Sequence, residues 1–135
     1  MSSSFKWVSN FNRDDMMPDV RAFLVLWAQA FNAHDVDKLA ALYARDALLY
    51  GTSSSKLYSG AEEIRTYFRR THTVEFEAWR SARLAANLVL VVGNYVFSQS
   101  STDHIAATPA RFTFVLSHKD DAWQILHHHS SAAPD

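Results

Sequence analysis

The most chemically suggestive stretch of this chain is His127-His128-His129, close to the end of the sequence. Imidazole titrates near neutral pH, so a histidine can act as a general acid or base, and its neutral form is a common metal ligand. Side chains alternate between the two faces of a β-strand. This alternation predicts that His127 and His129 share a face with Ile125, while His128 lies on the opposite face with Leu126.

The sequence leaves four interpretations of the histidine pair open. Two histidines spaced i, i+2 on a strand can ligate one zinc ion, with a third ligand such as His104 or His118. Alternatively, one histidine of the pair carries a proton as a catalytic acid or base. The run can also be a remnant of a purification tag, although it is short for one. In the fourth interpretation these are hydrogen-bonded strand histidines that line a pocket or an interface.

The composition predicts an ordinary globular domain in a chain of 135 residues. Apolar residues make up 48% and charged residues 20%, and the formal charge is −1, so neither nucleic acid nor a membrane is expected as a partner. The absence of cysteine excludes disulfides, thiolate zinc sites and cysteine nucleophiles. We find no pattern typical of a signal peptide or a membrane span and expect a cytoplasmic protein.

The elements that must position these side chains are predicted in two blocks. Residues 1–17 are polar with scattered aromatics and are interpreted as an N-terminal arm, and 18–135 as a single domain. Apolar spacings of three and four predict three helices, over about 18–31, 36–44 and 60–71. Asp35 is the expected N-cap of the second, whose apolar face includes Tyr43. Four long strands follow, over 74–84, 88–100, 110–119 and 122–130, and Gly93 inside the second of them predicts a bulge or sharp bend. Helices followed by strands predict an α+β fold, an antiparallel sheet packed on three N-terminal helices.

The strand over 88–97 is apolar on both faces where it begins, in the run LVLVV. One face of the sheet must take the helices. The other face is therefore expected to meet a second copy of the chain, which predicts a homodimer or a larger homo-oligomer.

Three stretches carry a resemblance to a known superfamily: FNAHDVDKLAALYARDALLYGT, YSGAEEIRTYF and the ending WQILHHHSSAAP. With them the chain resembles the nuclear transport factor 2-like superfamily, also called SnoaL-like or cystatin-like, over residues 18–134. The ending is similar to that of the association domain of calcium/calmodulin-dependent protein kinase II and its stand-alone bacterial relatives. The resemblance implies a cone, in which a curved sheet wraps around helices, leaves a pocket and pairs into dimers or rings.

The superfamily includes ketosteroid isomerases, whose catalytic positions are not filled here in the way that chemistry requires. The resemblance places their general-base aspartate at or next to Gly51 and their oxyanion-donating tyrosine at Trp27. Their second acidic residue falls near Phe112 or Thr113. Glycine and phenylalanine do not titrate, and tryptophan donates only through its indole N–H. We therefore do not expect the isomerase mechanism.

The association domains carry pocket arginines at two places where this chain has Ser130 and Val96, so the resemblance does not carry over carboxylate binding. Arg111 and Arg83 remain as strand arginines that can face inward, onto an anionic ligand. Aromatic residues are plentiful enough to line a small-molecule pocket. We predict catalytic roles for His127 and His129 and ligand contacts from Arg111, Tyr95, Trp27, Tyr50, Phe68 and Arg83.

These observations lead to three hypotheses of function. The first is a homo-oligomeric domain that binds a small apolar or weakly acidic molecule in an aromatic-lined pocket. The second is a SnoaL-like cyclase, isomerase or hydratase that uses a pocket histidine as general acid or base. The third is an assembly module with a vestigial pocket. No motif in the sequence indicates a cofactor, and none is predicted.

Overall fold

The computed structural model describes residues 6–9, 18–69, 71–100 and 103–134. Within these ranges three helices lie against one curved sheet of seven strands. The helices are α1 (Pro18–Asn32), α2 (Val36–Ala40) and α3 (Ala61–Tyr67). The strands are β1 (Trp7–Ser9), β2 (Tyr43–Tyr50), β3 (Leu57–Ser59), β4 (Thr73–Ala85), β5 (Leu88–Ser100), β6 (Ile105–Lys119) and β7 (Ala122–Ala132). The predicted α+β fold, a curved sheet packed on three helices, is confirmed.

The strands are arranged in the order β1-β4-β5-β6-β7-β2-β3. Neighbouring strands run antiparallel except β2 and β7, which are parallel. The expectation of a wholly antiparallel sheet is therefore wrong at this pair. Short turns impose antiparallel pairing only on strands that follow one another along the chain, and β2 and β7 do not.

The second and third helices are shorter than predicted. The Asp35 side chain accepts a hydrogen bond from the Lys38 backbone N–H, as expected of an N-cap. However, α2 ends at Ala40, and the chain is already a strand at Tyr43, which pairs with Ile125 of β7. This early start of β2 places the Tyr43 side chain in the interior, where it is 2% exposed.

Gly93 marks the place where the sheet bends. The pairing of β4 with β5 shifts its register between Phe76 and Trp79, next to Gly93. A Cβ atom on Gly93 would lie 2.6 Å from the carbonyl oxygen of Ala78 and 2.7 Å from Cβ of Trp79, so only glycine fits. The irregularity predicted at this glycine is confirmed, and such bulges increase the local twist and bend of a sheet.

The inner face of the sheet holds α1 by packing and by a polar clamp at its end. The Asn32 side chain accepts a hydrogen bond from the Val74 N–H at 2.7 Å and donates one to the Val74 carbonyl at 3.1 Å. Trp27, on the same helix, is fully buried. Among the helices described, none has the length and apolar character needed to cross a membrane.

The predicted boundary between an arm and a domain at residues 17 and 18 stays a prediction. Part of the arm, Trp7–Ser9, pairs with β4 at the edge of the sheet. The rest of it, residues 1–5 and 10–17, lies outside the described ranges.

Candidate functional site

A bulge in β7 determines which histidine faces the interior. Val115 of β6 pairs with His127, but the next residue, Leu116, pairs with Ile125. Two residues of β6 are thus matched by three of β7, and Leu126 is the additional one. An extra residue in one strand reverses the side-chain alternation that follows it.

The reversal turns His128 and Ser130 toward the helices, with 2% and 5% of their surface exposed. His129 is exposed and His127 half-buried on the other face of the sheet. The predicted orientation, with His127 and His129 sharing the face of Ile125, is therefore wrong. The inward-facing histidine is His128, which strand alternation predicted on the face opposite Ile125.

His128 is held by hydrogen bonds at both ring nitrogens. Its Nδ1 lies 2.9 Å from the hydroxyl of Tyr43, and its Nε2 lies 3.0 Å from the hydroxyl of Tyr95. Beyond these contacts, the indole N–H of Trp27 donates to the Tyr43 oxygen at 3.1 Å. At the other end, the Tyr95 hydroxyl donates to Ser130 Oγ at 2.5 Å. We call these five residues the interior chain.

The hydrogen bonds of the interior chain all run in one direction. An indole N–H can only donate, so the Tyr43 oxygen accepts it, and the Tyr43 hydrogen points to Nδ1 of His128. His128 then carries its own hydrogen on Nε2 and donates it to the Tyr95 oxygen. The Tyr95 hydrogen goes to Ser130. Because the single hydrogen of Tyr95 goes to Ser130, the bond between Tyr95 and Nε2 requires a hydrogen on Nε2, and this sets the tautomer of neutral His128.

Burial keeps every titratable member of the interior chain neutral. Burial, with smaller contributions from His127 and His129, lowers the pKa of His128 to about 3. Burial also raises the pKa of Tyr43 well above its usual value, against the hydrogen bond from Trp27. It raises the pKa of Tyr95 in the same direction, against the hydrogen bond to Ser130. Around neutral pH the interior chain therefore carries no charge.

The interior chain ends at a cavity of about 110 Å³. Thr52 and Ser130 both line this cavity, and their hydroxyl groups are hydrogen-bonded to each other. Tyr95 and His128 form part of the same wall, and aromatic rings form much of the rest, from Phe31, Tyr67, Phe68 and Phe97. The described lining contains no Asp, Glu, Lys or Arg.

The ring of Tyr67 packs directly on Gly51 at the edge of the cavity. A Cβ atom on Gly51 would overlap with the Tyr67 ring, so this position has no room for a side chain. The Tyr67 hydroxyl is fixed by Ser53, whose backbone N–H donates to it at 3.3 Å and whose Oγ lies at 3.2 Å. The resemblance places the isomerase base at or next to Gly51, and at Gly51 itself the tyrosine ring occupies the space that a side chain would need.

Two of the predicted ligand-binding residues, Tyr95 and Phe68, line the cavity. A third, Trp27, lies two hydrogen bonds behind His128 and stacks on Phe31 with ring centroids 5.1 Å apart. It supports the cavity wall instead of forming it. The roles of these residues in binding stay predictions.

The other predicted ligand contacts lie away from this cavity and from Tyr95 and Phe68, and their roles in binding stay predictions. Tyr50 is 41% exposed on the face of the sheet that points away from the helices, with its ring 5.7 Å from that of His129. Arg111 is exposed on that face and donates to Ser131 Oγ at 3.3 Å, because the inward positions on either side of it belong to buried apolar residues. Arg83 is exposed and donates to a backbone carbonyl of the β4–β5 turn at 2.8 Å.

His127 and His129 have no arrangement typical of a metal site. The Nδ1 atom of His127 lies 3.0 Å from the carbonyl oxygen of Leu48, and the two imidazole centroids are 6.3 Å apart. Across the described ranges, no three His, Asp or Glu side chains gather in a way that could hold a metal ion. His118, one of the candidates for a third ligand, packs against Trp123.

The two histidines belong instead to two rows of side chains across the outer face. We define the outer face by the residues paired in these rows: Leu90–Val115–His127–Leu48 and Val92–Thr113–His129–Tyr50. An open groove of about 640 Å³ includes part of the second row, and His129, Arg80, Asn94 and Arg111 are among the residues that line it. This groove is larger than the interior cavity, but the polar residues named here are exposed and none of them belongs to the interior chain.

Sequence reasoning missed Tyr43, Thr52, His128 and Ser130 as site residues. Tyr43 was assigned to the apolar face of the second helix. For His128 and Ser130 the only available signal was the pair Ile125-Leu126, because one of two consecutive apolar residues in an alternating strand can be a bulge. That signal does not say which residue is the additional one.

A family model described as a SnoaL-like domain matches residues 20–135. The structure is also similar to that of a provisionally assigned calcium/calmodulin dependent protein kinase II association domain from Xanthomonas campestris. That match has a TM-score of 0.83 and 28% identity, and it covers 91% of this chain and 92% of that chain. No curated protein matches this sequence.

Two more distant structures share the fold. An uncharacterized protein with a cystatin-like fold from Caulobacter vibrioides has a TM-score of 0.73 and 13% identity, covering 86% of this chain and 88% of its own. A ketosteroid isomerase-like protein from Erwinia carotovora atroseptica has a TM-score of 0.69 and 16% identity, covering 87% and 95%. The resemblance to the nuclear transport factor 2-like superfamily is confirmed, and the chain belongs to the SnoaL-like domain family.

Proposed function

We propose that this chain is a homo-oligomeric domain that binds a small, neutral, largely apolar molecule in the interior cavity. The observation that carries the proposal is a cavity with aromatic walls, a neutral interior chain at one side and no Asp, Glu, Lys or Arg side chain in its described lining. A buried ion would lose its hydration without gaining a counter-ion, whereas a neutral ring gains from leaving water. The expectation of a weakly acidic ligand loses its support, because Arg111 and Arg83 lie elsewhere.

The size of the cavity limits the enclosed part of the ligand. Cavities of about 150 Å³ hold a benzene molecule, so about 110 Å³ encloses most of one small ring but not all of it. Thr108 and Ser53 at the edge of the cavity are exposed, so further atoms of a larger ligand can extend toward solvent there.

The geometry favours binding over proton transfer by His127, His128 or His129. His127 and His129, the predicted catalytic pair, lie on the outer face. His128 lines the cavity, but both of its nitrogens are already hydrogen-bonded and its pKa is about 3. A general base works best when its pKa lies near the working pH, and His128 is far from that condition.

Thr108→Phe is expected to abolish binding of a small neutral ring such as cyclohexanone, because the new ring occupies the cavity. Thr108 lines the cavity from an exposed position, so the substitution leaves the core intact. Ala107→Phe is the matched control, since it places the same ring on the opposite face of β6. Saturation-transfer NMR titrations measure the affinities. Equal binding by the two variants, or no neutral probe bound by the wild type, would contradict the proposed function.

We also propose that the outer face is where two copies of the chain associate. Leu48 and Tyr50 leave 40% and 41% of their surface exposed on this face, beside the half-buried Val92 and Val115. An apolar sheet face of this kind is typical of an interface between subunits. The structural similarity to an association domain supports the same assembly.

Val115→Asp is expected to convert the assembly to monomers, because it introduces a charge at the centre of the outer face, where association would desolvate it. Leu26→Asp is the control, as Leu26 is 53% exposed on α1, away from the sheet. Sedimentation velocity gives the mass of each variant. If Val115→Asp retains the wild-type mass, or if Leu26→Asp dissociates the assembly instead, the outer face is not the interface.

A further inference from the structure

We infer that the ligand presents a hydrogen-bond acceptor, such as a carbonyl oxygen, to the hydroxyl pair formed by Thr52 and Ser130. This inference rests on the proposed function and adds the chemical class of the ligand to it. It follows from counting the hydrogens at the end of the interior chain.

Thr52 and Ser130 hold two hydroxyl hydrogens, and the bond between them uses one. If Ser130 donates to Thr52, the Thr52 hydrogen is left over; if Thr52 donates to Ser130, the Ser130 hydrogen is left over. The Tyr95 hydroxyl cannot take up this hydrogen, because Tyr95 itself donates to Ser130. One hydroxyl hydrogen therefore remains whichever way the pair is oriented.

The remaining hydrogen has no acceptor among the described residues. Thr52 forms no other side-chain hydrogen bond there, and Ser130 forms one other, the bond that it accepts from Tyr95. Both residues line the cavity, Ser130 buried and Thr52 half-buried. A donor shielded from water without a partner is costly, so an occupant of the cavity gains by supplying an acceptor.

The common direction of the hydrogen bonds in the interior chain makes the remaining hydroxyl a stronger donor and so strengthens the preference for an acceptor. A hydroxyl whose oxygen accepts a hydrogen bond becomes a better donor, and this polarisation passes from Trp27 through His128 and Tyr95 to Ser130. A ligand that only donates would leave the remaining hydrogen unpaired. A neutral ketone, aldehyde or ester accepts the remaining hydrogen bond and brings no charge to the aromatic wall of the cavity.

The direct test is the carbonyl-carbon NMR shift of ¹³C-labelled cyclohexanone bound to the wild-type protein. We expect a shift at least as far downfield as in water, where the oxygen is hydrogen-bonded. A shift like that in cyclohexane would overturn the inference, yet the binding itself would leave the proposed function standing. If neither cyclohexanone nor methylenecyclohexane, which has the same shape without the oxygen, binds at all, the proposed function fails.

A pair of substitutions at Thr52 tests the same inference, because one keeps a hydrogen-bond donor at this position and the other offers only acceptors. Thr52→Asn keeps an N–H donor and should bind cyclohexanone within about threefold of the wild type. Thr52→Asp offers only acceptors when ionised, so its affinity for the ketone should fall by about tenfold or more, while methylenecyclohexane binding falls much less. Equal ketone affinity in the two variants would contradict the inference. Thr73→Asp, on an exposed position of β4, controls for the added charge.

Discussion

His128→Ala is expected to lower the free energy of unfolding by about 3–5 kcal/mol. The substitution removes a buried ring that packs on Phe114 with centroids 4.5 Å apart and on Trp27 with centroids 5.8 Å apart. It also removes the acceptor of the Tyr43 hydrogen and the donor to the Tyr95 oxygen. A cavity and an unpaired buried hydroxyl hydrogen are created together, which is why the expected loss is large.

Urea denaturation followed by tryptophan fluorescence measures this loss, and His104→Ala provides the matched control. His104 is exposed just before β6, so its replacement should change the free energy of unfolding by less than about 0.5 kcal/mol. Comparable losses for the two variants would show that His128 does not hold the interior chain together.

Mild acid is expected to destabilise the protein through the same histidine. In the unfolded chain a histidine has a pKa of about 6.5, whereas burial lowers the pKa of His128 in the folded chain to about 3. Below pH 6.5 the unfolded state therefore binds a proton that the folded state excludes. Stability is complete above the unfolded pKa and falls as the pH drops toward 3, with a limiting slope of about 1.4 kcal/mol per pH unit from this group.

The measurement is the free energy of unfolding at several pH values between 7 and 5, for the wild type and for His128→Gln. Glutamine retains a donor and an acceptor but does not titrate, so the variant should show a flatter profile over this range. The difference between the two profiles cancels the contributions of the other groups. Parallel profiles would mean that His128 is not kept neutral by burial.

Much of the fold follows from local patterns in the sequence. Apolar spacings of three and four gave the helices, and Asp35 caps the second as expected. Gly93 indicated the bend in the sheet because a strand glycine is typical of a bulge or close approach. The second helix is shorter than predicted, because the pairing of Tyr43 with β7 overrides the apolar periodicity around it. The third helix also ends earlier than predicted, at Tyr67.

The site was harder to predict, because it depends on the register of one strand. With alternation unbroken through Leu126, His127 and His129 would face inward, and the bulge there turns His128 and Ser130 inward instead. The orientation of Arg111 also depends on strand register, because its neighbours on β6 are buried and alternation then turns Arg111 outward. A single additional residue exchanges the two faces of a strand and leaves composition and periodicity almost unchanged.

We propose that the interior cavity, and not the outer face, receives a small neutral molecule. A crystal structure of the tag-free protein soaked with cyclohexanone tests that claim most directly. We predict electron density for the ring against Phe31, Phe68 and Phe97, with its oxygen within hydrogen-bond distance of Thr52 or Ser130. An empty cavity, with ketone only in the outer groove beside Arg111, would contradict the account.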